Sequence, residues 1–158
     1  MRRWLYVIAG VVAVLTVIVV AVPESDEGEV AEEVVAFREA LQGEGETNPC
    51  ELMTPAGRTT LIGAFPGGPP PAADTECAAQ ARDSGVYRYK RQREVPADTE
   101  TAVVVQGDQA AAAEVVDGRV GLEPLFLVRK GEQWLIASPD EVPASQALAE
   151  ALERGEGT

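Results

Sequence analysis

The chain has 158 residues, with 26 acidic against 13 basic side chains and no histidine. That length holds one modest domain, and the lack of histidine excludes Ser-His-Asp and Cys-His nucleophile systems and the H-E-x-x-H zinc motif. Arg2 and Arg3 are the only ionic residues before Glu24, so the rest of the chain carries 11 − 26 = −15, a sign that repels phosphate backbones and anionic headgroups and argues against nucleic-acid binding.

Residues 1–22 form the first unit. Trp4 to Val22 reads WLYVIAGVVAVLTVIVVAV, without a charge. As a helix it reaches about 28 Å, close to a bilayer's hydrocarbon thickness, and it has no polar face for a soluble amphipathic helix. Trp4 and Tyr6 suit the headgroup interface. Arg2 and Arg3 against Glu24, Asp26, Glu27 and Glu29 set the N-terminus inside and the remainder outside a cytoplasmic membrane. A lipoprotein would need a cysteine directly after the run, and the first is Cys50. Signal cleavage wants small residues at alternate positions, whereas the exit is Val19-Val20-Ala21-Val22-Pro23. A retained single-pass anchor is the expectation, and a cleaved, secreted form is the alternative.

Residues 23–28 (PESDEG) read as an acidic linker, and residues 29–140 as the folded domain. Val30, Val34, Phe37 and Leu41 share one face of a helix over Glu29–Gln42, stopped by Gly43 and Gly45. Asn48-Pro49 and Thr54-Pro55 each pair a cap with a first-turn proline, which predicts short helices at Pro49–Met53 and Pro55–Leu61. Phe65 to Ala73 (FPGGPPPAA) is a loop, and a further helix is expected through Cys77 to Arg82.

The second half changes period. Val86–Glu94, Thr101–Val105, Ala110–Val116, Leu125–Lys130 and Gln133–Ala137 read as strands, with turns at Gln106-Gly107-Asp108-Gln109 and Lys130-Gly131-Glu132-Gln133. Residues 141–158 are a tail, with a short helix over Ser145–Arg154 or frayed chain. Helices first and an antiparallel meander second give an α+β fold, with helices on one face of a curved sheet.

Cys50 and Cys77 are the only cysteines. An even pair in an exported domain reads as a disulfide; free thiols are the alternative, and a zinc site lacks ligands. Arg88, Lys90, Arg91 and Arg93 form a basic cluster around Tyr87 and Tyr89. Strand alternation splits it, leaving Tyr87, Tyr89, Arg91 and Arg93 on one face, a poor anion site. Trp134 reads as a packed indole before a pocket wall. No cofactor or metal loop is present in the sequence.

The order of elements then acquires a likeness. V-V-A-F-R-E-A-L (Val34–Leu41) precedes C-E-L-M-T-P-A-G-R (Cys50–Arg58) and Cys77, followed by V-V-V-Q-G-D-Q-A (Val103–Ala110) and L-V-R-K-G-E-Q-W-L-I (Leu127–Ile136). This resembles the nuclear-transport-factor-2-like superfamily, in the form fused to one membrane helix in bacterial envelope proteins. The resemblance implies a cone-shaped domain of helices on a strongly curved antiparallel sheet, with Cys50 and Cys77 matching the family's paired cysteines. Its members include isomerases, cyclases, dehydratases and inactive modules, so the fold does not select a function. No catalytic residue maps onto this chain. Phe37, Leu41, Tyr87, Tyr89 and Trp134 are the candidate pocket or partner contacts. The leading expectation is a tethered, non-enzymatic module that binds a protein partner or supports an envelope complex, a second copy of the chain being one such partner. An isomerase-like pocket for a small apolar ligand is the alternative.

Overall fold

The computed structural model describes residues 25–43, 47–62, 87–121 and 123–157. The expected membrane helix Trp4–Val22, the loop Phe65–Ala73, the helix Cys77–Arg82 and Cys77 itself lie outside the described residues. Among the described residues no helix is long and apolar enough to cross a membrane.

Helix α1 spans Asp26–Gln42. It starts three residues earlier than its apolar spacing predicts, because Ser25 caps it by accepting the Gly28 N–H at 3.2 Å, and Asp26, Glu27 and Glu29 suit the positive end of the helix dipole. Gly43 ends it at φ 77°, a left-handed position that glycine takes without strain. Asn48-Pro49 forms a turn instead of the predicted helix: Asn48 Oδ1 accepts the Cys50 N–H at 3.0 Å, and the chain then becomes extended. Helix α2, Pro55–Ile62, follows its predicted cap, with the Gly57 N–H donating to Thr54 Oγ1 at 2.9 Å.

Helix α3, Tyr87–Glu94, replaces the predicted first strand. Arg, Lys, Gln and Glu are good helix formers, and YRYKRQRE has no apolar alternation beyond its two tyrosines. On a helix residues i and i+2 lie about 200° apart, so Tyr87, Tyr89, Arg91 and Arg93 do not share the single face that a strand would give them.

The sheet contains β1 (Thr101–Gln106), β2 (Gln109–Val116), β3 (Arg119–Val120), β4 (Leu125–Lys130) and β5 (Gln133–Ala137). The order is β1-β2-β4-β5, all antiparallel, with β3 paired to the end of β2. Four strands, two of them to the residue, match the sequence reading. The β2–β3 hairpin was not expected; its Asp117-Gly118 pair, at φ 52° and 71°, supplies the two positive-φ positions of a type I′ turn.

Both faces of the sheet are covered, so the expectation of helices on one face is corrected. Val103, Ala110, Ala112, Leu127, Trp134 and Ile136 pack with α1. Ala102, Ala111, Ala113, Val128 and Ala137 face Leu148 and Leu152 of helix α4, Ser145–Glu153. Ala110–Ala113 of central β2 are buried from both sides. Alanine is a poor strand former, but its small side chain lets a helix approach each face closely. The C-terminal segment is therefore a packed layer, its first turn held by the Ala144 N–H donating to Gln109 Oε1 at 2.9 Å.

Candidate functional site

Three of the five candidate contacts are core. Phe37 and Leu41 of α1 and Trp134 of β5 rank among the largest fully buried side chains. Tyr87 and Tyr89 lie on α3, and their side chains are outside the described set. Phe37, Leu41 and Trp134 line neither of the two described openings. Cys50 is buried and disulfide-bonded, and the only other cysteine in the chain is Cys77.

The polar groups of the domain serve mainly to join its elements. Arg129 of β4 donates to Asp26 Oδ1 and to Glu29 Oε2, each at 2.8 Å, while its guanidinium lies 5.3 Å from the centre of the Trp134 ring. This ties the first turn of α1 to the end of β4. Arg38, only 2% exposed, donates to Thr101 Oγ1 at 2.9 Å and to the Thr99 carbonyl at 3.4 Å. Burial lowers its pKa, and the Glu114 charge opposes that. Glu114 accepts from Arg91 Nη2 at 2.9 Å, and Arg91 Nε lies 3.7 Å from Glu123. The basic cluster, read from the sequence as a poor anion site, has its Arg91 engaged with two carboxylates.

A second set of polar contacts joins α2 to the 3-10 turn Pro139–Glu141. Thr54 Oγ1 donates to Glu141 Oε2, which also accepts the Ser138 N–H at 3.1 Å. Thr60 Oγ1 meets Ser138 Oγ at 2.9 Å. The Thr54 N–H donates to the Ile136 carbonyl and the Ile136 N–H to the Leu52 carbonyl, both at 2.8 Å, so the outer edge of β5 is paired.

Glu33 of α1 is the described acid whose pKa burial raises, and its Oε1 is sealed from solvent without a hydrogen-bond partner. No neighbouring charge contributes to that shift, and Glu33 lines neither of the two openings described next. A base for isomerase-like chemistry needs a cavity and a second donor beside it. Glu33 has neither.

The described surface includes two openings. A shallow groove runs along the outer side of α1 over Ala31, Val35 and Ala36. A cleft of about 190 Å³ lies between α2, α3 and the start of β4, where Leu61, Leu125 and Ala137 meet Gln92. No side chain in that cleft was singled out by sequence. Its apolar residues belong to core periodicities, and Gln92 was placed in a strand. Among the described residues no group of three or more Cys, Asp or Glu side chains is arranged to hold a metal ion. No family model, no curated protein and no solved structure matches the chain.

Proposed function

We propose that the chain is a membrane-tethered, extracytoplasmic module whose folded domain binds a protein partner instead of turning over a substrate. The observation that carries this reading is the filling of the space between α1 and the sheet. Phe37, Leu41, Trp134 and Ile136 pack together as buried core with the sheet, whereas the resemblance implies a cone that encloses a cavity. Helices first and an antiparallel sheet second support that family placement. The covered second sheet face departs from the one-sided layout the resemblance implies.

The tether also orients the domain. Pro23, Glu24 and Ser25 separate the apolar run from Asp26, a reach of about 10–14 Å when extended. Arg129 holds Asp26 and Glu29 at the end of β4, so the turns Gln106–Gln109 and Lys130–Gln133 lie toward the membrane. The β2–β3 hairpin, carrying exposed Val116, points away from it.

A photocrosslinking residue placed at position 116 or 123 in intact cells tests the reading. A discrete adduct with one polypeptide supports it. Turnover of a small molecule by the purified chain, with no protein adduct from either position, overturns it.

A further inference from the structure

The sheet has β1 and β5 as its outer strands. The edge of β5 is paired with Leu52 and Thr54, whereas β1 pairs with β2 alone among the described residues. The Val115 N–H donates to the Glu100 carbonyl at 2.8 Å, which fixes the alternation along β1. Ala102, Val104 and Gln106 turn their main-chain groups to β2, and Thr101, Val103 and Val105 turn theirs outward. Nothing in β1 itself discourages a further strand. TAVVVQ has no charge and no proline, half of it is valine, and its register with β2 runs one to one without a bulge. Uncharged, β-branched edges of this kind add strands unless something covers them.

The cover at Val103 comes from the segment that follows α4. Gly155, at φ 75°, turns the chain there. Its N–H donates to the Leu152 carbonyl at 2.9 Å, and the Glu156 N–H donates to the Ala151 carbonyl at 3.1 Å. These two bonds make a Schellman turn, which sends the chain off the helix in a fixed direction. Gly157 is thereby delivered to β1. A Cβ on it would lie 3.2 Å from both the N and the O of Val103 and 3.1 Å from Ala102 Cβ. Those distances are tighter than ordinary van der Waals contact, so glycine lets the segment lie close against strand main chain. Val103 is only 2% exposed although its strand is outermost.

We infer that Gly155–Gly157 is a strap that closes the β1 edge, and that a second copy of this chain adds to β1 when the strap is displaced. A second copy fits because the edge is self-complementary. Antiparallel pairing about a two-fold axis at Val103 sets Val103 against Val103 and Thr101 against Val105, so the outward main-chain groups of both copies pair. No like charges are set against each other within the strand. The net charge of −13 on each chain opposes the approach, and salt weakens that opposition by screening.

Gly155→Val with Gly157→Val opens the strap, since valine is strained at a positive φ and lacks room against Val103. The unaltered and opened full chains are compared by sedimentation equilibrium in micelles, with detergent in excess so that shared micelles do not register as association. The opened chain should dimerise with a dissociation constant at least tenfold below that of the unaltered chain, and more tightly still with added salt. With 15N-labelled valine, the Val103 and Val105 amides of the opened chain should shift as dimer forms. Equal association of the two chains overturns the inference, as do dimers that leave the Val103 and Val105 amides unmoved. If the double variant does not fold, Gly157→Val alone, which keeps the Schellman turn, carries the same comparison. Both chains share the proposed membrane segment, so the outcome is independent of the tether.

Discussion

Arg129 meets Asp26 at 2.8 Å across more than a hundred residues of chain, and the contact fastens the helix that follows the apolar run to the far end of β4. The same guanidinium holds Glu29 and lies over the Trp134 ring. Arg129→Ala should cost about 1–2 kcal/mol, the sum of two half-exposed ion pairs and one cation–π contact. Arg129→Lys should recover less than half, since a single ammonium cannot bridge both acids with a planar fork. Urea denaturation measures the loss, and hydrogen exchange should show it concentrated in the first turns of α1.

Gly57 allows α2 to lie against β5. A Cβ there would sit 2.5 Å from the Ile136 carbonyl oxygen and 3.2 Å from Ala137 Cα. Gly57→Ala should therefore destabilise by about 1–3 kcal/mol, in the range of core overpacking, despite alanine's better helix propensity. Thermal melting decides between the two effects. A rise in Tm would mean that helix propensity outweighs the close approach.

Much of this was legible because local chemistry and tertiary packing agree. Leu125–Lys130 and Gln133–Ala137 are short apolar runs of strand length on either side of Gly131, whose φ of 67° its turn requires. Thr54-Pro55 is a cap and first-turn pair that needs no tertiary help. Tyr87–Glu94 misled because its tyrosines alternate with basic residues, a pattern that also fits a short polar helix. Asn48-Pro49 misled in the other direction: its cap hydrogen bond forms, but pairing of Leu52 and Thr54 with Ile136 pulls the chain straight. Gln92 was illegible, since nothing in a basic octapeptide says which polar side chain the fold will bury.

The disulfide of Cys50 lies in the core. Peptide mapping without reductant should recover Cys50 joined to Cys77, and Cys50→Ser should cost about 2–5 kcal/mol. Recovery of Cys77 as a free thiol would refute that pairing.

Glu33 should give the stability curve a downward slope above the ordinary carboxylate range. Burial raises its folded pKa above the usual 4.5, so the native state holds the proton more tightly than the unfolded chain. Its contribution is then full below the unfolded value and is lost as pH rises through the folded one. Glu33→Gln should match the native chain near about pH 4 and melt higher near about pH 7. An unchanged difference between the two pH values would remove Glu33 as the source.

The tethered, outward-facing domain is tested most directly by a cysteine at the far hairpin. Val116 is 55% exposed, and the bonded Cys50 does not compete for label. Val116→Cys is treated with a membrane-impermeant maleimide in intact spheroplasts, which are then washed, lysed and fractionated. The expected result is full labelling before lysis, with the labelled chain in the membrane pellet after carbonate washing. Labelling only after lysis, or labelled chain in the spheroplast supernatant, would contradict it.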